Sequence, residues 1–230
     1  MIVNHTHKFI FVHVPKSAGT SVTELFSQYS GYRDLEVGGT ALGESLQNEF
    51  KKRYGLTKHA TASEIRAIVG ADSWGTFFSF GIVRNPYARA QSTFHFMKRW
   101  RGNKEMDRLK FLENMPDFRT FALSPKLQRK QFHRLLWSQT QWLCDEAGKL
   151  LVTQVGHLES LDEDLKRIQD EIPGLPVRPR VTLAAPKRNK SDADDEALNK
   201  LLSDEPEVEQ ALFEAYRDDF ETFGYPRFRV

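Results

Sequence analysis

The 230 residues carry 33 Lys and Arg against 31 Asp and Glu, a net charge of +2, with 40% hydrophobic and 28% charged residues. That balance suits one globular domain over residues 1–230 and excludes a bulk field that would draw nucleic acid or membrane to the whole surface. The lone cysteine, Cys144, excludes an internal disulfide and reads as a small core residue beside Trp142 and Leu143.

In chain order, the polar start from Met1 to Lys8, with His5 and His7, reads as a frayed terminus rather than a metal site. The apolar run Phe9 to Val14 is a buried strand, too short for a signal-peptide core or a membrane span. A soluble, cytoplasmic chain without a transmembrane segment is therefore expected. Pro15 to Gly19 break the strand, and Val22, Leu25 and Phe26 set a helical spacing behind them. Gly31 to Gly43, with four glycines, reads as a loop, and a helix follows near Leu46 to Tyr54. Thr61 and Glu64 form a capping box that opens a helix from Ala62 to about Val69.

Phe77 to Val83 form a second buried strand. Asn85 as N-cap and Pro86 at the first helical position then start another helix through Tyr87, Ala90, Phe94 and Met97. Lys104 to Leu143 look helical, interrupted near Pro116 and Pro125, and Leu150 to Val155 read as a third strand. Ser160 and Glu163 repeat the capping-box spacing ahead of a helix to about Ile172. A loop with four prolines and five basic residues, Pro173 to Lys190, precedes two acidic-fronted helices near Asp192 to Leu202 and Pro206 to Phe220. Strands alternating with helices predict an α/β, P-loop-like three-layer fold with a central, mainly parallel sheet covered by helices.

Ligands of such folds bind beyond the carboxyl ends of the strands, where the two informative segments lie. In the first, Val14 to Ser21, Gly19 lets the backbone approach a ligand, and the following helix N-terminus offers free N–H groups to an anion. Lys16 adds a charge, and Thr20 and Ser21 add hydroxyl donors. This is not a Walker A loop, because Lys16 precedes Gly19 instead of following it. In the second, Gly81 to Ser92, the Arg84 guanidinium suits a phosphate, and Ser92 lies about two helical turns further on. Arg89 is left open between ligand and structural ion pair. Two anion elements suggest a ligand with two separated phosphate groups.

Pro-Lys-Ser-Ala-Gly-Thr-Ser at 15–21 and Val-Arg-Asn-Pro-Tyr-Ala-Arg-Ala-Gln-Ser at 83–92 together resemble the signature that binds 3′-phosphoadenosine 5′-phosphosulfate (PAPS) in sulfotransferases. The likeness is closest to the branch holding carbohydrate and heparan-type O-sulfotransferases and their soluble bacterial relatives. It implies that Lys16, Ser17, Gly19, Thr20 and Ser21 hold the 5′-phosphosulfate, and that Arg84 and Ser92 hold the 3′-phosphate. Weaker likeness covers Lys58 to Arg66, Gln139 to Leu143, Gly156 to Leu161 with Glu159, Asn189 to Ser191 and Tyr216 to Tyr225. Ala88 departs from an acidic position of many relatives, and Gln91 from an aliphatic one. The Golgi members carry a membrane anchor that is not expected here.

The resemblance implies sulfuryl transfer from PAPS to a hydroxyl acceptor and suggests a carbohydrate, with a lipid or a small alcohol left open; the transferred group carries less charge than a phosphoryl group, so no metal is expected. By the same match His59 is the general base, a role suited to a group that titrates near neutrality. Lys16 also stabilises charge growing on the leaving phosphate. His13 reads as packed or hydrogen-bonded, and His95, His133 and His157 lack a comparable motif. A nucleotide-dependent kinase and a non-catalytic nucleotide-binding module are the rival readings. The Lys187-Arg188-Asn189-Lys190 cluster is short and flanked by acidic residues, so it reads as a ligand-binding or solvated loop and not as a nucleic-acid patch.

Overall fold

The computed structural model of the chain describes residues 1–99, 114–128, 133–176 and 192–228. Its strands, in chain order, are β1 (Ile2–Asn4), β2 (Phe9–Val12), β3 (Leu35–Glu36), β4 (Phe78–Val83) and β5 (Gln154–His157). The first helices are α1 (Gly19–Ser27), α2 (Ala41–Tyr54), α3 (Ala62–Val69), α4 (Ala71–Thr76), α5 (Pro86–Arg99) and α6 (Phe118–Ala122). They are followed by α7 (Pro125–Gln128), α8 (Thr140–Leu143), α9 (Leu161–Glu171), α10 (Asp192–Asp204) and α11 (Pro206–Phe223). The chain forms two compact units, Met1–Val83 with Gln139–Arg188, and Arg84–Ser138 with Asn189–Val230.

The first unit is a five-stranded sheet ordered β3-β1-β2-β4-β5. β2, β4 and β5 run parallel, whereas β1 is antiparallel to both β2 and β3. The sheet is therefore mixed, which corrects the mainly parallel sheet expected from the alternation of strands and helices. The cause is local. Residues 5–8 turn the chain back with Lys8 at φ 55°, and a link that short can only join antiparallel neighbours. Ile2 then pairs with Phe11 and Asn4 with Phe9. The terminus is thus a buried strand and not a frayed end, with Met1, Ile2, Val3 and Asn4 all at or below 1% exposure.

Alternation along the strands sends Phe9, Phe11, Phe80 and Ile82 to one face, where they pack with Val22, Leu25 and Phe26 of α1 and Leu161, Leu165 and Ile168 of α9. Gly81 points the other way, and a β-carbon there would lie 2.6 Å from Leu143 of α8. Helices therefore flank the sheet. Other boundaries shifted for physical reasons. Leu150 forms a single bridge to Cys144, so the last strand starts only at Gln154. Ser160 makes no cap; its hydroxyl donates to Asp164, and the helix grows out of a 3₁₀ turn at Leu158–Ser160. α2 starts earlier than its apolar spacing suggested, because the Thr40 side chain accepts the Gly43 N–H.

In the second unit Tyr87, Ala90, Phe94 and Met97 of α5 share a core with Phe118, Phe121, Leu212, Tyr216 and Phe220. The region expected to be helical from Lys104 to Leu143 is, where described, broken into α6, α7, a 3₁₀ turn at Arg134–Leu136 and α8. The tail is clamped onto α11. Glu209, 1% exposed, accepts from Tyr87 Oη and from Arg227 through Nε–Oε1 at 2.9 Å and Nη2–Oε2 at 2.6 Å. Arg227→Ala leaves that buried carboxylate without its cation and lowers stability by about 1.5–3 kcal/mol, the scale of a charged hydrogen bond. Urea unfolding of the two proteins measures the loss, and equal midpoints would show that the clamp adds nothing.

Candidate active site

The segment after β2 is tightly held. Lys16 and Ala18 adopt left-handed φ of 68° and 56°, a conformation that costs a residue with a side chain and persists only where its surroundings enforce it. Ala18 then heads α1 without a side-chain cap hydrogen bond, so no side chain of the cap competes for the first-turn N–H groups. Those groups and the positive end of the α1 dipole follow directly on the half-exposed Lys16, an arrangement whose charge would suit an anion. Thr20 is exposed and Ser21 half-exposed. Ser17 is buried, and its hydroxyl donates to Gln139 Oε1 at 3.2 Å. The Ser17 side chain thus ties the loop to the segment entering α8.

Gly19 is explained by close approach. A β-carbon there would lie 1.9 Å from both Cδ2 and Nε2 of His13. The His13 ring is 4% exposed, stacks on Phe11 at 5.8 Å between centroids, and meets the His59 ring edge-on at 4.5 Å. Burial holds its pKa well below the ordinary histidine value, and His59, the amino terminus and Lys58 act in the same direction. His13 is therefore a neutral imidazole.

His59 is half-buried on the short link between α2 and α3. The expected capping box is present: Thr61 Oγ1 accepts from Glu64 N, and a Glu64 carboxylate oxygen accepts from Thr61 N. On the other side the Lys58 N–H donates to Gln47 at 3.3 Å, and Lys58 Nζ pairs with Glu44 at 2.9 Å. His59 Nδ1 lies 3.1 Å from the His13 carbonyl oxygen. A carbonyl oxygen only accepts, so Nδ1 is the donor in this bond, and in the neutral ring the lone pair then lies on Nε2. Trp142 of α8 faces the same imidazole at 6.2 Å. One end of the sheet thus gathers Lys16 to Ser21, His13, His59, Gln139 and Trp142. Sequence reasoning left His13 as a packed or hydrogen-bonded residue and did not join it to His59, although its position one residue past β2 was a usable signal.

The second element lies in the other unit. Asn85 Oδ1 accepts from Tyr87 N at 3.0 Å and from Ala88 N at 3.3 Å, the cap expected ahead of Pro86. Arg84, 9% exposed, immediately precedes that cap, and Ser92 is half-buried two turns along α5. Arg89 takes the structural alternative. It is 1% exposed, donates to the Trp137 carbonyl at 2.9 Å and faces the buried Tyr216 and Asp219. The Lys187–Lys190 cluster and Asn189–Ser191 lie outside the described residues. Among the described residues no group of three or more His, Cys, Asp or Glu could hold a metal ion, and no helix is long and apolar enough to cross a membrane.

Against curated proteins and against solved structures the chain has no significant match. A family model described as the sulfotransferase family matches residues 1–226. That span takes in the anion loop after β2, the His59 link, the Arg84 element and α11 alike. The chain belongs to the sulfotransferase family and is a transferase of sulfuryl groups.

Proposed function

We propose that the sulfuryl donor is PAPS, that the acceptor is a hydroxyl group, favoured by family likeness to be a carbohydrate hydroxyl, and that His59 is the general base. The observation that carries the base is the bond between His59 Nδ1 and the His13 carbonyl, which leaves Nε2 as the proton acceptor. The anion loop suits the donor's 5′ end: α1 lacks a side-chain cap, and Lys16 stands beside its N-terminus. When bound, PAPS supplies the sulfuryl group and a nucleotide leaving group. Lys16 and the first-turn N–H groups of Gly19, Thr20 and Ser21 offset negative charge at that 5′ end. Ser17 contributes through the loop backbone, since its hydroxyl is engaged with Gln139. Arg84 and Ser92 read the 3′-phosphate. The setting we propose is the cytoplasm, where a buried lone thiol such as Cys144 stays reduced.

Calorimetric titration tests the donor. The protein binds 3′-phosphoadenosine 5′-phosphate more tightly than ADP, and equal affinities would remove the ground for PAPS. Arg84→Ala weakens the 3′-phosphorylated nucleotide by about 1.5–3 kcal/mol, the scale of a charged hydrogen bond, and barely affects ADP. An equal loss for both nucleotides would make Arg84 a structural residue.

A further inference from the structure

We infer that His13 is the positioning residue of the base: its carbonyl accepts a hydrogen bond from the Nδ1–H of His59, and its ring walls in the His59 imidazole so that Nε2 keeps the lone pair. The inference rests on the reading of His59 as base. Four contacts carry it. The Nδ1 to carbonyl distance is 3.1 Å. The two rings meet edge to face at 4.5 Å, close enough to restrict rotation of His59 about its last torsion. The His13 ring has no room to retreat, because Phe11 stacks on it and the Gly19 α-carbon abuts its Cδ2–Nε2 edge.

The chemistry gives this arrangement a purpose. A free neutral imidazole carries its proton on either nitrogen, and only the form with the proton on Nδ1 offers Nε2 as a base. In this form the acceptor hydroxyl gives its proton to Nε2 while Nδ1–H stays on the carbonyl of residue 13, so the imidazolium formed remains hydrogen-bonded. His13 Nδ1 is itself buried with no hydrogen-bond partner, a cost that a purely structural position would shed by carrying an apolar side chain. Burial also keeps the His13 ring neutral, so it sets no second positive charge against the His59 imidazolium. The same ring that touches the base touches Gly19 of the donor loop, so the two halves of the reaction share one spacer.

The test is histidine-ring ¹⁵N NMR on the whole protein, with His59→Gln used to assign the His59 signals. In the wild-type protein His59 shows one neutral tautomer, protonated on Nδ1. In His13→Ala the His59 signals move to the Nε2-protonated form or to a mixture, and turnover falls by up to about 10²-fold, as for a misplaced catalytic group. The loss in turnover exceeds any loss in affinity for 3′-phosphoadenosine 5′-phosphate. A wild-type His59 protonated on Nε2 would overturn the inference, and that measurement needs no variant to fold. So would a folded His13→Ala protein whose His59 keeps the Nδ1-protonated form at full turnover. If His59→Gln itself retains turnover, the base assignment falls while the tautomer result stands on its own.

Discussion

His59→Ala lowers turnover by roughly 10²–10⁴-fold, the range for loss of a general base, while affinity for 3′-phosphoadenosine 5′-phosphate stays close to wild type. The His59 imidazole reaches the His13 carbonyl and Trp142, and in its neutral form a donor at Nδ1 puts the lone pair on Nε2. Nothing in that role requires contact with the nucleotide. Lys16→Ala fails differently. Lys16 stands in the anion loop, so its loss weakens nucleotide binding as well as slowing turnover. Turnover and nucleotide affinity for both variants, with circular dichroism as the folding control, separate the two roles. A folded His59→Ala protein with wild-type turnover would exclude His59. A Lys16→Ala protein that binds nucleotide like wild type would remove Lys16 from the donor site.

Gly19→Ala disables the protein although it adds a single methyl group. The new carbon would sit 1.9 Å from two atoms of the His13 ring, far inside contact distance. The ring is hemmed in by Phe11 and His59, so the strain passes to the loop that carries Lys16. Donor affinity and turnover both collapse, and stability drops by about 1–3 kcal/mol, the usual cost of overpacking. Gly75→Ala is the control. Nothing lies within 4 Å of a β-carbon there, and in a helix the change is neutral or favourable by roughly 0.5–1 kcal/mol. Combining Gly19→Ala with His13→Ala recovers part of the lost stability, since the two changes share one contact and do not add. Wild-type donor affinity in Gly19→Ala would show that the loop tolerates displacement and that close approach is not why glycine stands there.

The elements legible in the sequence were those written in local chemistry. The Thr61–Glu64 box, the Asn85–Pro86 start and the apolar runs of β2 and β4 depend on neighbours a few residues away, and each stands where expected. The same logic failed where another partner outcompeted the expected one. Ser160 has the spacing of a cap, but the buried Asp164 collects its hydroxyl together with the His157 N–H and Arg167. Ile2 to Asn4 are too few to announce a strand; they become one because β2 and β3 offer edges on both sides. At the candidate site, Lys16 to Ser21 and His59 were readable as candidates from motif and resemblance. The part of His13 was not, because it depends on a ring contact between residues 46 apart in sequence, which no spacing rule encodes.

The mixed sheet also sets an order of assembly. β1, β2 and β3 lie within the first 36 residues, so their antiparallel pairing closes short loops at small entropic cost. β4 joins β2 once residue 83 is made, and with it the anion loop and the His59 link are complete in the growing chain. The far edge of β4 must then wait for β5, whose first residue is Gln154, while the first stretch of the second unit, Arg84–Ser138, is synthesised in between. During that interval β4 presents a row of unfilled backbone hydrogen bonds beside an apolar face, the condition under which strands pair with the wrong partner. Truncations ending ahead of Gln154 would therefore carry the loop after β2 and the His59 link on an aggregation-prone sheet.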